Sequence, residues 1–160
     1  MKFDHSNVLG REVAKGVPDL RERSEYWRLL VHAVMQTDDS VVITTVFGII
    51  QFVNPAFERS TGYSAQEAVG RTPALVKSGQ HAPEFFAALW KSIRNGEVFR
   101  AIFTNRRKNG DIYYEEKTIT PIRDESTEIT HFVSTGRDVT SRVLADARME
   151  YLANLSLIHI

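Results

Sequence analysis

FVNPAFERSTGYSAQEAVGR, residues 52–71, runs out of an apolar stretch into a series of short, separately capped helices. Asn54 stands at an N-cap with Pro55 at the first helical position, where a missing N–H costs nothing. Gly62 ends that turn, and Ser64 with Glu67 forms an S-x-x-E capping box for the next. Thr72-Pro73 repeats the device of a cap followed by proline. Helix starts packed this densely describe chain wrapped around something rather than a bundle.

Outward from this stretch the pattern is that of strands. Residues 41–45 and 49–53 form a pair with Phe47-Gly48 at the turn. Residues 83–95 are a firmer helix, with Phe86, Leu89, Trp90 and Ile93 at helical spacing and Gly96 at its C-terminal end. Three strands follow, at 98–107, 112–122 and 128–139. Within NRRKNGDIYYEEKTITPIRD (residues 105–124), Asn109-Gly110 predicts a type I′ hairpin turn. Two strands, a helical excursion and a three-stranded meander make an α+β domain: a five-stranded antiparallel sheet with helices on one face.

The flanks read differently. Residues 1–24 are expected to form a mobile arm and the start of a helix. Trp27, Leu30, Val31 and Val34 then make one apolar stripe, serving either packing on the same domain or a dimer. Residues 25–140 are the domain proper, and 141–160 a C-terminal helix. There Leu144, Ala147, Tyr151, Leu155 and Ile158 form an imperfect heptad-like stripe, too short to establish a coiled coil.

At 160 residues, 42% hydrophobic and 25% charged, the composition is that of a soluble globular chain. Twenty basic against twenty acidic residues leave no net charge, and so no broad grip on nucleic acid or an anionic membrane. The chain has no cysteine, which removes disulfides, thiolate metal sites and cysteine nucleophiles. No apolar run is long enough to span a bilayer, and the N-terminus lacks a signal-peptide core, so a cytoplasmic location is expected. The five histidines show no metal-ligand spacing, and His81 reads as a solvated loop residue. Arg106-Arg107-Lys108 reads as a solvated hairpin end. Glu115 and Glu116 alternate on a strand, point to opposite faces and cannot act jointly on one substrate. No catalytic constellation is present, so a regulatory rather than enzymatic domain is expected.

VNPAF followed by TGYS, the NRRKNG hairpin, the TPIRD strand end and the closing RDVT are individually weak motifs. In this order over residues 25–142 they resemble the PAS domains of bacterial signalling proteins. One departure is visible: many PAS domains carry an acidic residue in the turn before the second strand, where this chain has Val46-Phe47-Gly48. The resemblance implies a sensory pocket holding a flavin, a haem, a small metabolite or nothing. GRTPALVKSG (residues 70–79) aligns with the segment bearing the photoactive cysteine of light-oxygen-voltage domains. Pro73 takes that position, so a cysteinyl–flavin adduct cannot form.

Non-covalent FAD or FMN stays open, and haem is disfavoured. By resemblance, Asn105 stands where flavin-binding PAS domains place an amide against the isoalloxazine edge. Glu115 replaces their second amide, Gly136 their last-strand glutamine, and Lys77 a residue near the ribityl phosphate. The wording around Lys77 and Asn105 is also similar to FAD-binding redox-sensing domains of nitrogen-fixation regulators, and to PAS domains with no known ligand. Phe132, Ser134 and Gly136 share one strand face. Two small residues there leave volume unless a large neighbour such as Phe99 or Trp90 fills it. The candidate cofactor-binding residues are therefore Lys77, Phe99, Asn105, Glu115, Ser134 and Gly136.

The resemblance further implies relay through Asp138 and Thr140, with Thr140 capping the exit helix. The expected partners are a second copy of the chain through Trp27, Leu30, Val31 and Val34, and an output domain of the same protein. RMEYLANL (residues 148–155) resembles the connector before diguanylate cyclase domains, but Ser156 onward departs from it. A diguanylate cyclase/phosphodiesterase and a histidine kinase output both stay open. The alternative is a ligand-free module for dimerisation or partner docking.

Overall fold

The computed structural model describes residues Leu20–Ile158. The expected arm therefore lies almost wholly outside the described residues. Chain contacts separate a unit ending at Gln36 from one beginning at Thr37. In the first, helix α1 (Leu20–Gln36) buries none of its residues, and Trp27, Leu30 and Val31 of its apolar stripe are exposed.

The second unit holds a five-stranded antiparallel sheet in the order β2-β1-β5-β4-β3, the α+β architecture the alternation of elements implies. Its strands are β1 (Ser40–Thr45), β2 (Ile50–Val53), β3 (Phe99–Arg106), β4 (Ile112–Arg123) and β5 (Ile129–Asp138). Between β2 and β3 lie α2 (Pro55–Thr61), α3 (Ala65–Ala68), a 3-10 turn (Pro73–Val76) and α4 (Pro83–Arg94). Helix α5 (Thr140–Ile158) leaves β5 directly and buries none of its residues.

Local chemistry explains most of these boundaries. Asn54 caps α2 through a 3.1 Å bond from Phe57 N, Pro55 opens it, and left-handed Gly62 (φ 80°) closes it. The Ser64–Glu67 capping box of α3 is present in both directions. At the 3-10 turn the device is only half made: Thr72 is extended and precedes Pro73, yet its side chain makes no capping bond. Helix α4 ends at Asn95, with Gly96 (φ 83°) in the left-handed position that follows.

The β3–β4 turn differs from the expected type I′. That turn needs positive φ at both central residues, and here Gly110 (φ 96°) adopts it whereas Asn109 does not. Gly110 N bonds Arg107 O and Arg107 N bonds Asp111 O, a type I turn closed by a left-handed residue. The Asn109 side chain accepts Asp111 N instead, a local bond that favours the αR-like conformation of the turn.

Two apolar clusters hold the helices to the sheet. Val42, Ile50, Val53, Phe57 and Ala68 pack α2 and α3 on β1 and β2. Leu89, Ile93, Phe103, Ile119 and Phe132 pack α4 on β3, β4 and β5. Each such side chain, fully buried, is worth about 1.5–3 kcal/mol of transfer free energy.

Candidate functional site

A cavity of about 270 Å³ lies between the inner face of the sheet, α4 and the 3-10 turn. Its walls are apolar and aromatic, with Phe86, Leu89, Trp90, Ile93, Phe103 and Phe132 among them. Polar groups enter from Thr44, Lys77, Asn105, Lys117 and Ser134. A side chamber of about 20 Å³ adjoins it, sharing Pro73, Val76, Lys117 and Ser134 and adding Tyr113 and Glu115. The main cavity sits just below the ordinary range of small-molecule sites, about 300–1,000 Å³.

Asn105 is the informative polar group. It is 5% exposed, and its Nδ2 has no hydrogen-bond partner. The amide reaches toward the Tyr113 hydroxyl, opposing a strong upward shift of that phenol by burial and by the Glu115 charge. Even so, Nδ2 meets no acceptor at bonding geometry. Leaving a buried donor orphaned costs about 1–3 kcal/mol.

Glu115 and Lys117 follow from strand alternation. Tyr113, Glu115, Lys117 and Ile119 recur with period two on the inner face of β4, while Glu116 is exposed and pairs with Arg142. Lys117 Nζ lies 2.9 Å from Glu115 Oε1, both side chains being nearly buried. The approach is an ion pair without hydrogen-bond alignment, since Glu115 Oε1 also counts as unpartnered. The same ammonium stands 4.8 Å from the centre of the Phe103 ring.

The structure brings together Lys77, Asn105 and Ser134 on the main cavity and sets Glu115 behind them in the side chamber. Phe99 is not among the lining residues; it packs edge-on against Phe85 and Phe103 at 5.8 and 6.2 Å. Gly136 leaves no void either. A Cβ there would come within 2.5 Å of the Glu115 carboxyl, so that carboxyl fills the space the small residue opens. The unfilled volume lies at Ser134.

Two solvated readings are corrected. His81 is half-buried, stacked on Phe85 at 4.0 Å, and its Nε2 accepts Thr104 N at 2.8 Å. The reason is that the chain after the 3-10 turn runs along the edge of β3. Lys77 bridges Asn105, and Ser78 Oγ donates to Thr104 O. Burial holds the imidazole below its ordinary pKa. Arg107 is likewise engaged: it donates to Ser60 O and to Asp138 Oδ2 (2.7 Å) and lies 4.3 Å from the centre of the Tyr113 ring. Lys108 pairs with Glu67 at 2.8 Å.

At the sheet exit Thr140 does not cap α5. Its Oγ accepts Tyr114 N and donates to Asp138 Oδ1, which also accepts Thr140 N. For Asp138, burial acts to raise the pKa, but the bonds from Thr140 and Arg107 outweigh it and hold the carboxyl below its ordinary value. Among the described residues no cluster of His, Cys, Asp and Glu is placed to hold a metal, and no helix is long and apolar enough to cross a membrane.

The family model for the PAS fold matches residues 25–139. This chain belongs to the PAS family. It is 28% identical over 116 residues to a nitrogen fixation regulatory protein of Klebsiella oxytoca, covering 72% of this chain and 23% of that protein. It is 34% identical over 92 residues to a blue-light photoreceptor of Listeria innocua, covering 58% of this chain and 36% of that one. Among solved structures it is similar to an RNA-binding light-oxygen-voltage receptor, with 27% identity and a TM-score of 0.76, over 87% of this chain and 40% of that one. This PAS chain thus spans less than half the length of these relatives, which by name are a regulatory protein, a photoreceptor and a receptor.

Proposed function

We propose that this chain is the sensor module of a cytoplasmic signalling protein, taking a flavin non-covalently in the main cavity and relaying its state through α5. The observation that carries this reading is the orphaned, buried Asn105 Nδ2 at an aromatic-walled cavity. A planar heteroaromatic ring with carbonyl oxygens on its edge would give that donor an acceptor. The residues fit such a group: apolar walls for the ring, Asn105 for its polar edge, Ser134 leaving room, and Lys77 for an anionic tail. FMN or FAD, when bound, supplies reversible electron transfer. What the chain itself contributes is a shaped, largely apolar site with Asn105 Nδ2 left free to meet an acceptor.

The relay is proposed at the sheet exit. Arg107 ties α2, the β3–β4 turn and Asp138 together, and Asp138 holds the first turn of α5. A shift of β3 or β4 beside the cavity would therefore reach the helix through these bonds. A ligand biases that equilibrium only by its differential affinity for the two arrangements. The output domain is proposed to follow residues 141–160, as a diguanylate cyclase/phosphodiesterase or a histidine kinase. The exposed apolar stripe of α1 supports the second reading, a homodimer through Trp27, Leu30 and Val31 that needs no ligand.

The absorbance spectrum of freshly purified protein separates the two readings. Bands near ~450 nm are expected for flavin, against ~400–420 nm for haem. A colourless protein with no affinity for added flavin would leave the dimerisation module standing. Asn105→Ala should weaken flavin affinity about 5- to 150-fold, the equivalent of one lost buried contact.

A further inference from the structure

Asn95-Gly96 and Asn109-Gly110 are the same dipeptide in two settings. An asparagine followed by glycine can modify itself. The glycine N, having lost its proton, attacks the asparagine Cγ, and ammonia leaves as a succinimide ring closes. Water then opens either ring carbonyl, giving aspartate or isoaspartate, so that water is consumed and ammonia released. Glycine has no side chain to hinder the attack. Both asparagines are exposed. Both glycine N–H groups are bonded at rest, Gly96 N to Ile93 O (3.1 Å) and Gly110 N to Arg107 O (2.9 Å). What holds the rest of each dipeptide therefore decides between them.

At Asn109 both ends of the side-chain amide are fixed. Its Oδ1 accepts Asp111 N (3.0 Å), and its Nδ2 donates to the Asp111 carboxylate (3.1 Å). The glycine is held as well, because Arg106 Nη1 donates to Gly110 O (2.8 Å), and Arg107 N closes the hairpin on Asp111 O (2.8 Å). Asn95 differs. It is the C-cap of α4, and its side chain makes no hydrogen bond among the described residues. Gly96 N and Glu97 N (to Ser92 O, 2.9 Å) close that helix end. The last turn is the part of a helix that opens most readily. Opening it frees the Gly96 nitrogen beside an amide that is already unrestrained.

We propose that Asn95 is a site of spontaneous deamidation, and that Asp111 protects Asn109 from the same reaction. The products alter the cavity wall. Isoaspartate lengthens the main chain by one carbon at the end of α4, and either product puts a carboxylate at the negative end of that helix's dipole. Trp90 and Ile93, in the last two turns of α4, line the main cavity. Chemical ageing of this chain thus reaches the cavity through the end of α4.

The test is incubation of the full 160-residue chain at mildly alkaline pH. Peptide mass mapping follows the amide-to-acid conversion and isoaspartate at each residue. Asn95 is expected to convert at least about 5-fold faster than Asn109, the equivalent of the two side-chain bonds that Asn109 must break. Asp111→Ala removes one of those bonds and should speed Asn109 by about 2- to 10-fold while leaving Asn95 unchanged. In a Trp27→Phe background, Trp90 emission should drift as Asn95 converts, and Asn95→Gln, whose longer side chain closes the ring far more slowly, should hold it steady. Conversion of Asn109 as fast as Asn95, or no conversion at Asn95, overturns the assignment. Equal Asn109 rates with and without Asp111→Ala remove the protecting role, and unchanged Trp90 emission in converted chain removes the effect on the cavity wall.

Discussion

Two asparagines are buried in this domain to nearly the same degree, and they have opposite surroundings. Asn54 is 0% exposed; its Oδ1 accepts Val41 N (2.9 Å) and Phe57 N (3.1 Å), and its Nδ2 donates to Asp39 O (2.9 Å). It knots the start of β1 to the start of α2. Asn105 is 5% exposed, and its Nδ2 bonds nothing. Burial alone therefore does not separate a structural polar residue from a ligand-facing one; the partner set does. Around Asn54 the interior is closed and every bond is made within the chain. Around Asn105 the interior is open, and the fold carries the cost of an unmade bond.

Removing each amide should expose that difference. Asn54→Ala deletes a helix cap and strands a buried N–H at Val41 and a partly buried carbonyl at Asp39, so about 2–4 kcal/mol of stability should be lost. Denaturant midpoints at constant slope measure it. A loss under about 0.5 kcal/mol would erase the contrast, because water would then be replacing the knot at little cost.

Asn105→Leu should behave oppositely. With an orphaned donor replaced by an apolar group of similar size, the ligand-free protein should keep its stability or gain about 1 kcal/mol, while flavin affinity collapses. If Asn105→Leu destabilises the free protein as Asn54→Ala does, then Asn105 is a structural amide and the cavity loses its principal argument.

Of the pair, the sequence revealed one role each and no more. Asn54 before Pro55 was legible as a cap because capping is local. Its hold on Val41 and Asp39 spans thirteen and fifteen residues and has no local signal. Asn105 was placed by resemblance, and Lys117 by nothing, although period-two alternation from Tyr113 to Ile119 sets it on the same face. His81 and Arg107 were misread as solvated because a loop and a hairpin end are usually wet. What buries them is contact with Phe85 and Thr104 in one case, and Ser60, Tyr113 and Asp138 in the other. The strand count and helix order were legible because periodicity and caps are properties of short windows. The cavity was legible only by resemblance and through the small residues Ser134 and Gly136, of which Ser134 borders it while the Glu115 carboxyl fills the place at Gly136.

The open and closed regions should also fail at different pH. His81 fastens the cavity wall to β3 as a neutral acceptor, with its pKa below the ordinary 6.5. A depressed folded pKa means its contribution is complete above about pH 6.5 and is lost as pH falls through the lower folded value. Asp138, on the closed side, is also depressed, from a starting value of 3.8, so its contribution persists until pH falls below about 4. Trp90 fluorescence in a Trp27→Phe background should therefore change as pH falls below about 6.5, whereas the exit of β5 should hold until pH falls below about 4. His81→Gln supplies an acceptor that does not titrate and should flatten that change. An identical pH response in the variant would remove the imidazole as the fastener.

The smallest expected effect lies far from both asparagines, and it sets the baseline for them. Three hairpin turns share one bonding pattern, closed by a left-handed residue: Gly48 (φ 80°), Gly110 (φ 96°) and Thr127 (φ 66°). In the third, Thr127 N bonds Asp124 O and Asp124 N bonds Glu128 O, matching the bonds at Arg107, Gly110 and Asp111. Threonine is poorly suited to this place, since a left-handed conformation costs an L-residue roughly 1–2 kcal/mol and β-branching adds crowding. Glycine removes that strain but loses more chain entropy on folding, by about 0.5–1 kcal/mol. The balance predicts that Thr127→Gly stabilises the domain by about 0.5–1 kcal/mol and leaves flavin affinity unchanged, because no atom of this turn borders the cavity. A rise in stability here accompanied by a change in ligand affinity would mean that the two properties are coupled through global stability. The contrast between Asn54 and Asn105 would then have to be judged on affinity at matched stability.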